Sequence, residues 1–155
     1  MTNNDILRRL RYILDITDTK IVKILKHTDY QVPLETVNAW LKKDTDEEFI
    51  KCNDKDLLAF LDSLIIEKRG RKDNKDSKPV VVTSVLNNNL IFLKLKIALQ
   101  LQSEDVLDIM ELAKYNISSH ELSAFFRKKT HRHYRICKDQ ILRKFLKGLQ
   151  LKYRN

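Results

Sequence analysis

Glycine is nearly absent from this 155-residue chain: there are two, with two prolines and two cysteines. So few glycines leave little material for the tight turns of a β-sheet protein, and no glycine-rich loop that could cradle a phosphate. Two cysteines exclude a disulfide scaffold and a Cys-x-x-Cys metal cluster. No apolar run approaches the roughly 20 residues needed to span a bilayer. The opening MTNNDILRRLRY carries charges where a secretory signal would be apolar. There is no serine–histidine–acid order and no HExxH. A non-enzymatic, soluble, cytoplasmic protein with reduced thiols, no cofactor and no membrane partner is expected.

What the chain does have is a duplication. Shifted by 85 positions, residues 3–69 align with 88–154 without a gap, and 17 of the 67 pairs are identical. Asn3/Asn88, Asn4/Asn89, Tyr30/Tyr115, Cys52/Cys137 and Phe60/Phe145 are among them. An ungapped match means equal loop lengths and hence the same fold twice. Two copies are too few for a solenoid, so the expected architecture is all-α: two tandem helical units of about four main helices each, packed with pseudo-twofold symmetry. Residues 1–70 form the first repeat and 87–155 the second. Residues 71–86 form a linker, polar over 71–78 and then an apolar extended segment, PVVVTSVL.

Helical spacing of apolar residues places the elements. A first helix capped by Asn3 or Asn4 runs to about Ile16. A second, capped by Thr17 or Asp18, runs to about His27. A third opens with Pro33 in its first turn and ends near Lys43. DTDEE then makes a solvated turn. The fourth helix, Asp54 to Lys68, stops at Gly70; it is apolar over most of its circumference and is placed where the two copies meet. In the second copy Asn88 or Asn89 and then Ser103 cap the first two helices, SSHE forms a capping box from Ser118 to Glu121, and the last helix spans Asp139 to Tyr153.

The chemical candidates are few. His131, His133 and Cys137 are zinc-ligand types, but no fourth ligand accompanies them, and surface histidines in a loop are the simpler reading. Cys52 and Cys137 each precede a helix, where a thiolate is favoured. Each also has an aromatic three residues before it, the pattern of a small apolar residue anchoring a helix start. The second and third helices of each copy resemble a helix-turn-helix, yet Gln31 and Asn116 stand where its turn glycine belongs. Gly148 within the last helix, opposite Ser63 of the first copy, indicates close helix approach.

These strings also carry a resemblance. NNDILRRLRYIL, AWLKKD, FLDSLIIEKRG, NNNLIFLKLKIAL, ELSAFFRKKTHRHYRICKDQ and LRKFLKGLQLKYR are similar to the YehS-like bacterial family, a domain of unknown function. The resemblance covers nearly the whole chain. Asp62 and Ser63 depart from the family's usual FLNGL string, and PVVVTSVL is more apolar than its usual linker. It implies a tandem helical repeat in a bacterial cytoplasm, and no activity, cofactor or catalytic residue.

Charge is unevenly divided. The net +9 is made of 12 Lys/Arg against 13 Asp/Glu in residues 1–70, 4 against 2 in residues 71–86 and 14 against 6 in residues 87–155. That asymmetry points to a polyanion such as DNA or RNA, met by Arg127, Lys128, Lys129, Arg132, Arg143, Lys144, Lys147 and Arg154. On a helical wheel Arg143, Lys147 and Arg154 fall within roughly 40° of one another, with Lys144 on the flank and Ile141 and Tyr153 on the buried side. A protein-interaction adaptor without a nucleic-acid role is the alternative.

Overall fold

The structure is a computed structural model that describes residues 1–70 and 85–154. The polar linker 71–78 and the apolar residues 79–84 lie outside the described residues; of the segment PVVVTSVL only Val85, which is exposed, and the half-buried Leu86 are within them. The chain divides into two compact units, breaking between Leu86 and Asn87. All described regular structure is helical: α1 (Asn3–Leu14), α2 (Asp18–Leu25), α3 (Leu34–Trp40) and α4 (Asp54–Arg69), then α5 (Asn88–Ala98), α6 (Ser103–Leu112), α7 (Ser119–Phe125) and α8 (Asp139–Tyr153). Each helix of the second unit starts 85 residues after its counterpart, as the ungapped duplication requires.

Local chemistry sets the helix ends. Thr2, not Asn3 or Asn4, caps α1: its Oγ1 accepts from the Asp5 amide at 3.1 Å, and Asp5 returns the bond to the Thr2 amide. Asn87, not Asn88 or Asn89, caps α5 by accepting from Leu90 at 2.9 Å. The N-cap of α6 is Gln102 rather than Ser103, with the Asp105 carboxylate on its amide at 2.7 Å. The correction matters, because the displaced asparagines have other partners. Pro33 is the N-cap of α3, one residue earlier than expected, with extended φ −61° and ψ 148°. Thr17 and the Ser118–Glu121 box cap as read from the sequence.

With glycine scarce, ordinary residues take the left-handed conformation that ends helices. Asp15, Asp29, Gln100 and Lys114 have φ of 53° to 58°. After each, the next amide reaches back five residues, as in Ile16 to the Arg11 carbonyl at 3.2 Å and Leu101 to Lys96 at 2.9 Å. The first helices therefore stop short, α1 at Leu14 instead of Ile16 and α2 at Leu25, where a 3-10 turn over Lys26–Thr28 takes over. α3 ends at Trp40, not Lys43. Gly70, at φ 77°, closes α4.

In the first unit α4 lies chiefly along α2, and in the second α8 lies along α6. Leu57, Phe60, Leu61 and Leu64 of α4 are buried, while Leu58, Ile65 and Ile66 are half-covered. The second core is more aromatic. Phe92 stands where the first unit has Leu7, with its ring 4.4 Å from Phe145 and 5.1 Å from Phe126, the latter edge-on. Gly148 sits where α8 crosses α6 closely: a Cβ there would lie 2.7 Å from Ile109 Cγ2 and would overlap the Ile109 carbonyl oxygen. In the first unit Ser63 fills that position, its hydroxyl 2.7 Å from that of Thr28. The second unit replaces both hydroxyls, with Ala113 and Gly148.

Candidate nucleic-acid interface

The two consecutive asparagines at the start of α1 and α5 hold a long loop in each unit. Asn4, 2 % exposed, donates to the carbonyls of Trp40 and Ile50, both at 2.9 Å, and accepts from the Cys52 amide at 3.0 Å. Asn89 makes the same bonds to Phe125 (3.0 Å), Arg135 (2.7 Å) and the Cys137 amide (2.9 Å). Asn3 and Asn88 reach past the buried cysteine to its carbonyl and to Asp54 or Asp139. Residues 41–53 and 126–138 are thus tied at both ends by one side chain, which satisfies three backbone groups that burial would otherwise leave unpaired.

Cys52 and Cys137 are the apolar pegs of this latch. Both are 1 % exposed, and burial pushes each thiol up to about 12. The carboxylates of Asp56 and Asp54 add to this at Cys52, and that of Asp139 at Cys137. At neutral pH such thiols stay protonated, which removes the condition for nucleophilic attack.

The tip of each loop is one turn with two charge signs. Residues 44–48 read DTDEE, and the equivalent residues 129–133 read KTHRH. Asp46 Oδ1 accepts from the Glu48 amide at 2.8 Å; His131 Nδ1 accepts from the His133 amide at 3.0 Å. The side-chain acceptor keeps its place while the charge inverts. The His131 and His133 rings, 5.6 Å apart, are exposed, and Cys137 points inward; among the described residues no three metal-ligand side chains converge.

The second loop opens a groove of about 730 Å³ against α7 and the start of α8. Tyr115, Tyr134, Ile136 and Ile141 line it, with the cations Lys129, Arg135 and Lys138 and the carboxylate Glu121 among them. A hollow of about 460 Å³ adjoins it, sharing Glu121, Tyr134 and Arg135 and adding His120, Arg132 and His133. The first unit differs at the decisive places. There Tyr30 donates its hydroxyl to Asp56, and burial together with that bond holds the phenol well above its usual range. Ile141 replaces Asp56 beside Tyr115, and Lys138 replaces Asn53.

Of the cations singled out by sequence, Lys128, Lys129, Arg132, Arg143, Lys147 and Arg154 are exposed. Arg127 and Lys144 are half-buried. Ile141 is only half-buried and Tyr153 is 43 % exposed, so the apolar side of α8 is narrower than the wheel indicated: its last turn and first-turn edge project beyond the unit's core. The structure gathers Lys129 and Arg132 around the paired hollows. It adds Tyr115, Tyr134, Arg135 and Lys138, which charge counting passed over because it did not weigh aromatics and cations together. The helix-turn-helix reading finds little here: α3 and α7 have seven residues each, and their exposed side chains include Leu34, Glu35, Ser119, His120 and Glu121 but no lysine or arginine. Among the described residues no helix is long and apolar enough to cross a membrane.

A tandem pair of four-helix units, each hanging a long loop from an Asn-Asn latch, is the class these features define. The chain belongs to the family described as protein of unknown function DUF1456, whose model matches it twice, over residues 3–70 and 88–155. It is 39% identical over 150 residues to the uncharacterized protein YehS of Escherichia coli strain K12, covering 96% of this chain and 94% of that one. No solved structure matches it.

Proposed function

We propose that this is a non-enzymatic, nucleic-acid-associated regulatory module whose second unit binds the strand. The observation that carries the reading is the groove at residues 126–138, where Tyr115 and Tyr134 stand among Lys129, Arg135 and Lys138. Single-stranded nucleic acids are held by this combination, cations tracking the phosphates and aromatic faces taking the bases. Lys128, Lys129 and Lys147 enter no salt bridge with described residues, so their charge is available to phosphates, whereas Arg143 lies within electrostatic reach of the Asp139 carboxylate. In the first unit Arg8, Arg11, Lys20 and Lys42 are all paired with carboxylates.

The test is titration of labelled single-stranded and duplex oligonucleotides across salt. Each phosphate contact adds about 0.7 to the log–log salt slope on single strands and about 0.9 on duplex DNA. Arg135→Gln with Lys138→Gln lowers the slope on single strands by roughly 1.4. Changing Arg143, Lys147 and Arg154 together to Gln lowers the duplex slope by roughly 2–3 if the α8 stripe is used. Tyr134→Ala weakens single-strand binding with little change in slope. No binding at low salt removes the reading. The adaptor reading then stands, favoured by Ile136, 71 % exposed in the groove, which an apolar side chain of a protein partner would cover.

A further inference from the structure

We propose that the loops at 44–48 and 129–133 recognise each other across two copies of this chain, so that the first unit of one molecule docks on the second unit of another. The two loops are the same turn, tied by the same asparagine latch and closed by the same side-chain acceptor. Two matched pairs oppose in charge, Asp44 against Lys129 and Glu47 against Arg132, and the carboxylates Asp46 and Glu48 have the imidazoles His131 and His133 as counterparts. All eight side chains are exposed.

The neighbouring helix loses a carboxylate in the same way, with an imidazole in its place. Glu35, beside Glu48, lines a hollow of about 450 Å³ in the first unit; its counterpart His120, beside His133, lines one of about 460 Å³ in the second. Lys42 pairs with Glu48 and Arg11 with Asp18 at the first hollow, which leaves Glu35 of its lining to carry negative charge outward, with Asp44 and Glu47 on the exposed loop tip. The second helix and, in the first unit, the 3-10 turn that follows it show opposed charges with the signs exchanged, Lys23 against Asp108 and Lys26 against Glu111, all exposed. Units that pair with each other gain from opposite signs at matched positions, because like charges facing across an interface are costly and opposite ones steer the encounter. One contact of this kind closes into a dimer when the reciprocal contact forms as well, and otherwise propagates head to tail. The same basic loop serves the proposed strand groove, so a polyanion and a second copy compete for it.

Sedimentation of the full chain decides the matter. At about 25 mM salt the protein should show concentration-dependent dimers or larger species, dispersed at about 500 mM where the Debye length is under 5 Å. Two variants are then compared, each first checked by circular dichroism and melting. One carries Asp44→Lys, Asp46→Lys and Glu47→Lys, so both its loops are basic. The other carries Lys129→Glu and Arg132→Glu, so its second loop turns acidic. Neither should associate alone at low salt, and an equimolar mixture of the two should regain association. The first variant keeps the groove cations, so it retains oligonucleotide binding if the functional reading holds, and the two ideas can fail separately. A wild-type chain that stays monomeric at low salt and high concentration overturns the proposal. So does a mixture that associates no better than its components. If one variant does not fold, the other alone must still lose the wild-type association.

Discussion

Adding a single methyl group at Gly148 tests the closest helix contact in the second unit. In an exposed helix, glycine to alanine is worth up to about 1 kcal/mol in favour of alanine. Here the new Cβ would overlap the Ile109 carbonyl oxygen and lie 2.7 Å from its Cγ2 and 2.8 Å from its carbonyl carbon. The obstruction is mainly backbone of α6, so no rotamer change clears it, and α8 must shift as a whole. Overpacking of this kind costs typically 1–3 kcal/mol and occasionally more, which outweighs the propensity gain. Gly148→Ala should therefore destabilise the second unit by about 1–2 kcal/mol net, a loss of roughly 5–15 °C for a unit of this size. Urea and thermal unfolding followed by circular dichroism measure it. Ser63→Ala is the matched control. It removes the 2.7 Å bond to Thr28, whose hydroxyl retains the Leu25 carbonyl at 3.3 Å, and it introduces no new atom. Its cost should be about 0.5–1.5 kcal/mol, that of one hydrogen bond. A neutral or stabilising Gly148→Ala would mean that α6 and α8 do not approach as described.

Asn89→Ala leaves the Cys137 amide and the Phe125 and Arg135 carbonyls without their partner, and should cost about 3 kcal/mol or more at about 1–3 kcal/mol for each of the three groups; a melting temperature within a degree or two of the parent would dissolve the latch. Cys52 and Cys137, buried with thiols pushed up to about 12, should react with a thiol reagent only as fast as the protein opens; labelling at the rate of free cysteine in native buffer would contradict that burial. The Glu67 carboxyl is held below its usual range first by the bond from His27 at 2.8 Å and then by Lys20 at 3.1 Å. A depressed folded value stabilises above the ordinary glutamate range and is lost as pH falls through the folded value. Glu67→Gln should thus lower stability at neutral pH and narrow the gap to the parent below about pH 4; a pH-independent difference would remove this ionic contribution.

The duplication made most of the fold legible, because each element had to satisfy the same spacing twice. Apolar positions at helical intervals located all eight helices, and the Ser118 box and Gly70 stop were readable from residue type alone. The errors cluster where a polar residue has two uses. Asn3, Asn4, Asn88 and Asn89 look like caps because asparagine caps well, but the same amide can serve three distant backbone groups, and sequence spacing does not reveal a bond from residue 4 to residues 40, 50 and 52. The early helix ends have a similar cause: Asp15, Lys114 and their counterparts adopt a conformation usually signalled by glycine, and this chain has almost none. The basic groove was half legible. Its cations show in the charge count, whereas the tyrosines between them are brought in from positions 115 and 134 only by the folded loop.

What the two copies share and what they do not share separate scaffold from surface. The identical pairs include both latch asparagines, the peg cysteine, the aspartate at positions 54 and 139, and the core residues Leu57, Phe60, Leu61 and Leu64 with their counterparts. Each is accounted for by burial or by a bond that holds the loop. The loop tips that this scaffold presents keep only Thr45 and Thr130 in common and otherwise exchange four carboxylates for two cations and two histidines. A fold that preserves the mounting and inverts what is mounted retains a position in space while changing what that position attracts. Two such positions on one chain, one negative and one positive, tie the two proposals together: a polyanion held by the basic loop and the acidic loop of a second copy would compete for the same place. The balance between those contacts is set by salt and by protein concentration, so affinity for oligonucleotide should fall as the chain is concentrated at fixed low salt. Affinity that does not change with protein concentration, in the range where sedimentation shows association, would mean that the two contacts use different surfaces.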